Sequence, residues 1–489
     1  MGPGKANRSA AQGLIEAALR GQLTQRQARQ LAREDPEVLA LALLAASKRI
    51  AEQSRVIAGL QSRDEESPLS PSTPSGMVPV YAKPNAAQRS KEPGAKKGHP
   101  GHRRETPTRI DRTQEHRLQR CPCCGGPLQR CQRKRTRLIE DIPEEIEPVV
   151  AQHTLWRDYC PTCKKDVEPV VPDAMPGAAL GHHVVALSSW FHYGLGLTVS
   201  QIVDILGYHL QTKLTPGGLI HAWHRLAEVL NAWYEQIGEQ AKKSAHLHGD
   251  ETGWRVNGVT YWLWCFTNDL NCYYMIDRCR GSPALQKFFT EAFEGVLVTD
   301  FWAAYESVCA EDRQYCLVHL LRELEKVDLR NDSGQWREFA KRLRRLVHDG
   351  IRLRRREDFA PGVFQSRVNR LNARVAELAS GEYADADARR LARRLGRYGE
   401  YLFTFLDYAD VPFENNFAER QIRPAVILRK NSQSNRSERG AATQAILMSV
   451  YRTLKLRSLN PTQTIAEALK TYVTTGKLPP LPEADIANG

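Results

Sequence analysis

The chain of 489 residues lacks a long hydrophobic run. Its longest apolar stretch, from Val38 to Ala46, is far shorter than the ~20 residues of a membrane-spanning helix. No N-terminal apolar segment with a cleavage site is present either. We therefore expect a cytoplasmic protein with no membrane partner. Disulfides are not expected among its 11 cysteines, because the cytosol keeps thiols reduced.

Acidic residues are in short supply. The 56 Asp and Glu residues face 69 Lys and Arg residues, which gives a net charge of +13. Such a surface attracts polyanions in a salt-dependent way, so nucleic acid is the expected partner and a nucleoid-associated location is expected. The length predicts roughly three folded modules, each able to bury its own core.

The N-terminal part is predicted to hold helices at residues 1–65 and a linker at residues 66–110. Leu43, Ile50 and Ile57 recur every seven residues, which favours a coiled coil, with an ordinary amphipathic helix as the alternative. The linker is rich in proline and poor in large apolar side chains. Its basic residues either contact DNA phosphates or serve a solvated tether; they include Lys96 and Lys97.

Four cysteines have the spacing of metal ligands. They form two CxxC pairs separated by 35 residues, and each pair lies in a turn with Pro or Gly. Four thiolates can converge on one tetrahedral zinc, so residues 111–178 are predicted to form a zinc ribbon with a structural ion. Reduced cysteines without metal are the alternative, and Cys123 could replace Cys124. The predicted zinc ligands are Cys121, Cys124, Cys160 and Cys163.

Residues 179–243 have helical periodicity with breaks at Gly207 and at residues 215–218. A DNA-binding helix-turn-helix is one interpretation, in which the second helix, with His221 and His224, enters a major groove. A structural helical bundle is the other interpretation.

After Lys243 the pattern becomes extended. Strands are predicted at residues 245–249, 259–267 and 271–276, then a helix at 283–293 and a strand at 295–299. Three antiparallel strands, a crossover helix and a parallel strand open an RNase H-like fold. Asp250 is expected to close the first strand and Asp300 the fourth, so the two carboxylates should lie side by side.

A third acid, Glu419, opens a basic helix much later in the chain. A capping box begun by Asn416 would explain Glu419 without any catalytic role, and Glu251 and Glu414 are competing acids. We favour Glu419 because the surrounding basic residues suit phosphate groups. Three carboxylates would hold two Mg²⁺ (or Mn²⁺) ions against a DNA backbone. The basic residues are Arg420, Arg423, Arg429 and Lys430.

The 118 residues between Asp300 and Glu419 exceed what such a core needs. A helical insertion domain is therefore predicted at residues 319–410, between core segments 244–318 and 411–470, with a C-terminal tail at 471–489. The fold class is multidomain α+β, with an RNase H-like α/β core. Dense arginines in the insertion are expected to contact phosphate, a solvated face being the alternative; the candidates are Arg344, Arg345 and Arg355.

Several motifs between Leu39 and Lys470 resemble those of insertion-sequence-66 family transposases, which are DDE enzymes with an RNase H-like core. The motifs include CPCCGG, CPTC, HGDETGW, VTDFWAAYE, CLVHLLREL and ENNFAERQIRP. The chain departs from the family at Phe301 and Trp302, where Gly-Tyr is usual. The resemblance implies a catalytic triad of Asp250, Asp300 and Glu419, supported by Cys316 and His319.

The implied reaction is nicking at a transposon end, followed by in-line attack of the new 3′ hydroxyl on target DNA. Asp250 would bridge two metal ions, and Asp300 and Glu419 would hold one each. The implied partners are terminal inverted repeats, target DNA, a second copy of the chain or more, and small accessory proteins. An RNase H-like nuclease without strand transfer and a zinc-containing DNA-binding regulator are the alternatives.

Overall fold

The computed structural model describes residues 107–129, 135–143, 146–356 and 358–484. These residues lie within one unit, Pro79–Gly489. The predicted coiled coil at residues 1–65, and most of the basic linker with Lys96 and Lys97, lie outside the described residues. Within the part of the chain that the structure describes, no helix is both long and apolar enough to span a membrane.

The described chain begins with the cysteine-bearing segment. Strands β1 (Asp158–Cys160) and β2 (Lys165–Val167) pair antiparallel as a short hairpin. Lys164 has a φ of 53°, the left-handed conformation with which the turn between the strands ends. The strand-like pattern at residues 138–156 is irregular in its described part. Strands in this spacer would suit the predicted zinc ribbon, but its described residues form none, and apolar side chains such as Val149 and Val150 are exposed.

Three helices precede the main sheet: α1 (His182–Ser189), α2 (Val199–His209) and α3 (Pro216–Lys242). A reciprocal capping box between Thr198 and Gln201 starts α2, and Thr215 caps α3. The 27 residues of α3 bury an apolar stripe that includes two tryptophans, so this helix is a central part of the core.

The main sheet has five strands in the order β5–β4–β3–β6–β7. The strands are β3 (His246–Val256), β4 (Val259–Thr267), β5 (Cys272–Asp277), β6 (Phe293–Thr299) and β7 (Ala310–Tyr315), with α4 (Ser282–Phe288) between β5 and β6. β3, β4 and β5 pair antiparallel, whereas β6 pairs parallel with both β3 and β7. These directions agree with those expected from the sequence.

The remaining helices follow the sheet in the chain. They are α5 (Leu317–Asp328), α6 (Gly334–Arg354), α7 (Pro361–Ser380), α8 (Ala386–Tyr398), α9 (Asn416–Ser432), α10 (Glu438–Leu456) and α11 (Pro461–Thr475). Between β7 and α9 the described residues form helices, 3₁₀ turns and loops, as expected for the insertion. The exact domain boundaries stay predictions.

The two faces of the sheet are buried by different helices. Along β4, Leu263 and Cys265 join a core with α3, α9 and α10, whereas Trp264 and Phe266 join a second core with α4. A third core contains Val298 of β6 together with α5 to α8. Since helices cover both faces, the exposed ends of the strands are the places where polar side chains can collect.

Candidate active site

The pairing of β3 with β6 brings Asp250 and Asp300 to the same level of the sheet. His248 pairs with Val298, so paired residues lie 50 positions apart in the chain, as the two aspartates do. Asp300 directly follows β6. The sequence predicted that Asp250 ends its strand. This prediction is wrong, because β3 continues to Val256 and pairs there with β4. The two carboxylates are nevertheless neighbours.

Both aspartates lie in a setting that disfavours their charged form. Burial, followed by the charges of Glu251 and Asp300, raises the pKa of Asp250 well above its usual range. Burial also raises the pKa of Asp300, although the Trp302 N–H, which donates to Asp300 Oδ1 at 2.9 Å, and the charge of Arg280 oppose it. A cation between the two aspartates would remove this penalty.

Glu251 is the anchor of a small buried network, and its side chain is only 3 % exposed. Arg280 donates to Glu251 Oε1 from Nη2 at 2.9 Å and from Nε at 3.1 Å, and the Tyr305 hydroxyl donates to Oε2 at 2.8 Å. Burial and the nearby Asp300 raise the pKa of Glu251 to about 7, against the effect of Arg280 and Tyr305. Its oxygens are therefore already used within the protein.

Glu419 lies in the first turn of α9 and faces α5. Its Oε1 is 3.2 Å from Arg322 Nη1 and 3.5 Å from His319 Nε2. Its charge also raises the pKa values of Asp250 and Asp300, which places it near both. The structure thus brings the three predicted carboxylates into one neighbourhood, with the third held by an arginine.

The start of α9 is not a capping box. The N-cap residue is Asn415 and not Asn416, and it makes no side-chain cap bond. Instead, the buried side chain of Asn415 donates from Nδ2 to Gly249 O at 2.8 Å, and its Oδ1 accepts from His248 Nδ1 at 2.8 Å. No sequence pattern indicated this role of Asn415. The two residues that it binds directly precede Asp250, so Asn415 fastens the Glu419 helix to β3.

Cys316 and His319, which the family resemblance implies as supporting residues, contact residues around the carboxylates. Cys316 Sγ accepts a hydrogen bond from the backbone N of Asn415 at 3.1 Å, and the Cys316 N–H donates to Thr299 O at 2.9 Å. Burial lowers the pKa of His319, although Glu419 opposes this, and His319 Nδ1 is a buried atom without a hydrogen-bond partner. Cys316 therefore contacts the residues that precede Asp300 and α9, and His319 contacts Glu419 itself.

Within the described ranges, no group of three or more His, Cys, Asp or Glu side chains has an arrangement that could hold a metal ion. Among the three carboxylates, Glu419 contacts Arg322. The donor set still fits a hard cation, since carboxylate oxygens are the ligands that Mg²⁺ prefers and the charges of Asp300 and Glu419 raise the pKa of Asp250.

The cysteine pairs form two separate turns. In the first, Cys121 N donates to Gly126 O at 3.0 Å, and hydrogen bonds within the turn lower the pKa of Cys121. In the second, at the β1–β2 hairpin, Cys163 N donates to Cys160 Sγ at 3.4 Å and lowers the pKa of Cys160. Each turn resembles half of a zinc site, but the two halves do not come together among the described residues.

The predicted DNA contacts of α9 separate into two groups. Arg420, Arg423 and Lys430 are exposed. Arg429 instead lies half-buried against β3, where its guanidinium donates to Thr252 Oγ1 at 3.2 Å and to the backbone carbonyl oxygen of Gly253. The sequence could not distinguish Arg429 from its neighbours, because only the packing of α9 on the sheet decides which face of the helix is exposed.

In the insertion, Arg345 and Arg355 are exposed, whereas Arg344 forms an ion pair with Asp328. Other arginines of the same run also bind acids within the protein, as Arg342 does with Glu377 at 2.5 Å. The run is therefore partly a set of internal ion pairs and only partly a free basic surface.

Only part of α3, the helix that the helix-turn-helix interpretation places in a major groove, is accessible. His224 Nδ1 lies 2.6 Å from Thr443 Oγ1 of α10, so this side of the helix packs within the protein. His221, one turn earlier, is exposed. The first turns of α3 are accessible, and its middle is a structural helix of the core.

Comparison with known proteins identifies the class. A family model described as "Transposase IS66 family" matches residues 177–443, which run from just before α1 into the start of α10 and include the three carboxylates. The match makes the chain a transposase, an enzyme that acts on DNA. Because it covers more than half of the 489 residues, the chain belongs to the IS66 family.

Three relatives from Sinorhizobium fredii (strain NBRC 101917 / NGR234) are similar to this chain. The uncharacterized protein y4jD is 22% identical over 395 residues, 72% of this chain and 75% of the relative. The uncharacterized protein y4hP is 22% identical over 71% of this chain and 70% of the relative. For the uncharacterized protein y4qI the identity is 23% over 48% and 49% of the two chains.

Proposed function

We propose that this transposase cleaves and joins DNA through a DDE triad of Asp250, Asp300 and Glu419, on an RNase H-like core. The observation that carries the proposal is the register between β3 and β6, which sets two carboxylates side by side with a third nearby. The strand order, with three antiparallel strands followed by two parallel ones, supports the fold. A DNA-binding regulator would have no use for acids whose proximity costs free energy.

The chain's own residues divide the work of the site. Asp250 and Asp300 would hold Mg²⁺ or Mn²⁺ from the sheet, and Glu419 would complete the set after its side chain leaves Arg322. When bound, the metal would supply the Lewis acid that activates the attacking oxygen and stabilises the departing one. Arg322, once released, would face the DNA phosphate, and Asn415 would keep the start of α9 in place.

DNA binding is proposed along exposed basic residues close to this site. Arg420, Arg423 and Lys430 follow Glu419 on the same helix and suit the phosphates next to the cut. Arg345 and Arg355 are proposed to contact DNA further away. The accessible first turns of α3 are proposed to take part in binding the terminal repeats.

The remaining features of the proposal concern assembly. Two ends must be handled together, so at least a dimer is proposed on DNA. A structural zinc is proposed for the segment with Cys121, Cys124, Cys160 and Cys163, and small accessory proteins of the same element are proposed partners. Metal analysis should find about one zinc per chain, lost when Cys160 and Cys163 are replaced by serine.

The proposed activity is tested with a duplex that carries the element's terminal repeat, in Mg²⁺ and in Mn²⁺. Strand joining by the wild-type chain, with no joining by Asp250→Asn and unchanged DNA binding by that variant, is the expected result. Cutting without joining would favour the nuclease. If Asp250→Asn kept full activity, the assignment of the triad would be wrong.

A further inference from the structure

An exposed tryptophan lies at the edge of the carboxylate site. Trp302 follows Asp300 by two residues, and its backbone N–H donates to Asp300 Oδ1 at 2.9 Å. The residue is nevertheless 36% exposed. The position of this large aromatic group is thus tied directly to a carboxylate, while much of its surface meets solvent.

A fixed cation holds the ring. The guanidinium carbon of Arg280 lies 4.0 Å from the centre of the Trp302 ring and 4.5 Å from that of Trp262, so the arginine lies between two tryptophans. Arg280 is held in turn by its two bonds to Glu251. This stack, Trp302–Arg280–Trp262, is therefore anchored in the buried network beside Asp250, and Trp302 is its outer layer.

The recessed position of the carboxylates gives this outer layer a use. Asp250 lies half-buried in β3 and Asp300 half-buried directly after β6, so the nucleotides next to a phosphate that reaches them come close to Trp302, and a base of these nucleotides can leave the helical stack. A base that leaves the stack loses its neighbours and is stabilised by an aromatic ring that replaces them. An immobilised ring is well suited to this, since little side-chain freedom is lost when the base binds.

We propose that Trp302, backed by Arg280, is a stacking site for an unpaired nucleobase next to the phosphate that is cut. The inference rests on the proposed DNA cleavage and names a part of its substrate. Stacking does not depend on which base is present, because every base has an aromatic face. The site therefore recognises an unpaired base and not a sequence.

The test measures whether the ring and the base act together. Cleavage rates are compared for the wild-type chain, Trp302→Ala and Trp302→Phe on an intact terminal-repeat duplex, and on duplexes with an abasic nucleotide at either position flanking the cut. On the intact duplex, Trp302→Ala should be slower by about 10- to 100-fold and Trp302→Phe should keep most of the rate. On one of the abasic duplexes the wild-type chain and Trp302→Ala should cleave at similar rates.

Controls separate this effect from a loss of structure. An abasic nucleotide about ten pairs inside the duplex should leave the defect of Trp302→Ala unchanged, and melting curves should show that each variant is folded. An equal defect of Trp302→Ala on intact and all abasic duplexes, or no defect at all, would overturn the stacking site. Failure of the wild-type chain to cleave any duplex would instead refute the proposed function.

Discussion

Two of the three candidate carboxylates are positioned by the backbone of a sheet, and the third by side chains around a helix start. The level of Asp250 and Asp300 follows from the hydrogen-bonded register between β3 and β6. The place of Glu419 depends on Asn415, which ties α9 to β3, and on Arg322, which binds the carboxylate itself. The sheet side of the site is therefore rigid, and the helix side is adjustable.

This difference shows which part of the site must change when metal and DNA bind. Strand register changes only at the cost of many hydrogen bonds, whereas a partly exposed ion pair such as Glu419–Arg322 is worth little. We therefore expect changes of the sheet carboxylates to abolish cleavage, and changes on the helix side to alter the affinity for metal.

The largest effect is expected on the sheet side. Asp300→Asn should lower strand cleavage at least about 10³-fold, because the amide removes a proposed metal ligand. DNA binding in a gel-shift assay should remain. Glu311→Gln, which changes an exposed acid on β7, is the matched control and should cleave normally. Comparable losses in both variants would contradict a special role for Asp300.

The next effect concerns the tie between α9 and β3. Asn415→Ala removes both side-chain hydrogen bonds, so the affinity for Ca²⁺ should fall about 10- to 100-fold. The affinity is measured from the rise in melting temperature that Ca²⁺ causes. Asn416→Ala, a change at the next residue, is the control and should bind Ca²⁺ like the wild type. Unaltered Ca²⁺ binding by Asn415→Ala would mean that packing alone positions Glu419.

The variant Asn415→Asp tests the same tie through pH. His248 is neutral, since burial lowers its pKa to about 4, so it donates from Nδ1 to Oδ1 of residue 415. A carboxylate at position 415 could accept this hydrogen bond. Its second oxygen would repel Gly249 O and could donate to it only when the carboxylate is protonated. Cleavage by Asn415→Asp, relative to Asn415→Ala, should therefore improve as the pH falls from 8 to 6. A constant ratio would show that the bond to Gly249 is unimportant.

A smaller effect of opposite sign is expected at Arg322. Arg322→Gln frees Glu419 from its ion pair, so Mn²⁺ should bind about 2- to 5-fold more tightly in the absence of DNA. Cleavage should not improve, because the released arginine is proposed to face the phosphate. Arg337→Gln, a change of an exposed arginine on α6, controls for the loss of charge. Weaker Mn²⁺ binding by Arg322→Gln would contradict competition between arginine and metal.

The smallest effect is on stability without metal. The pKa of Asp250 is raised in the folded protein, so the folded state holds more protons than the unfolded state and loses stability as pH rises from the ordinary carboxyl pKa to the raised one. Asp250→Asn should therefore melt about 2–4 °C above the wild type at pH 8, with the advantage shrinking towards pH 4. A lower melting temperature at pH 8 would show that other contacts of Asp250 outweigh its burial and its repulsion from the neighbouring acids.

Local patterns predicted much of this site. The bounds of β4 agree with the strand predicted at residues 259–267, and Asp300 follows its strand as expected. Predictions that needed a distant partner were less successful. Asp250 lies within its strand because β4 pairs beyond it, and Arg429 is half-buried because α9 packs against Thr252. Asn415 was missed because its partners, at 248 and 249, are remote in the chain.

The sequence by itself determined the net charge of +13, the candidate carboxylates and the alternation of strands and helices, because composition and periodicity act over a few neighbouring residues. Tertiary structure alone decided that Glu419 meets Arg322, that Asn415 joins α9 to β3, and that Arg280 lies between two tryptophans. Such contacts join residues far apart in the chain, and only the packing of the sheet and its helices brings them within bonding distance.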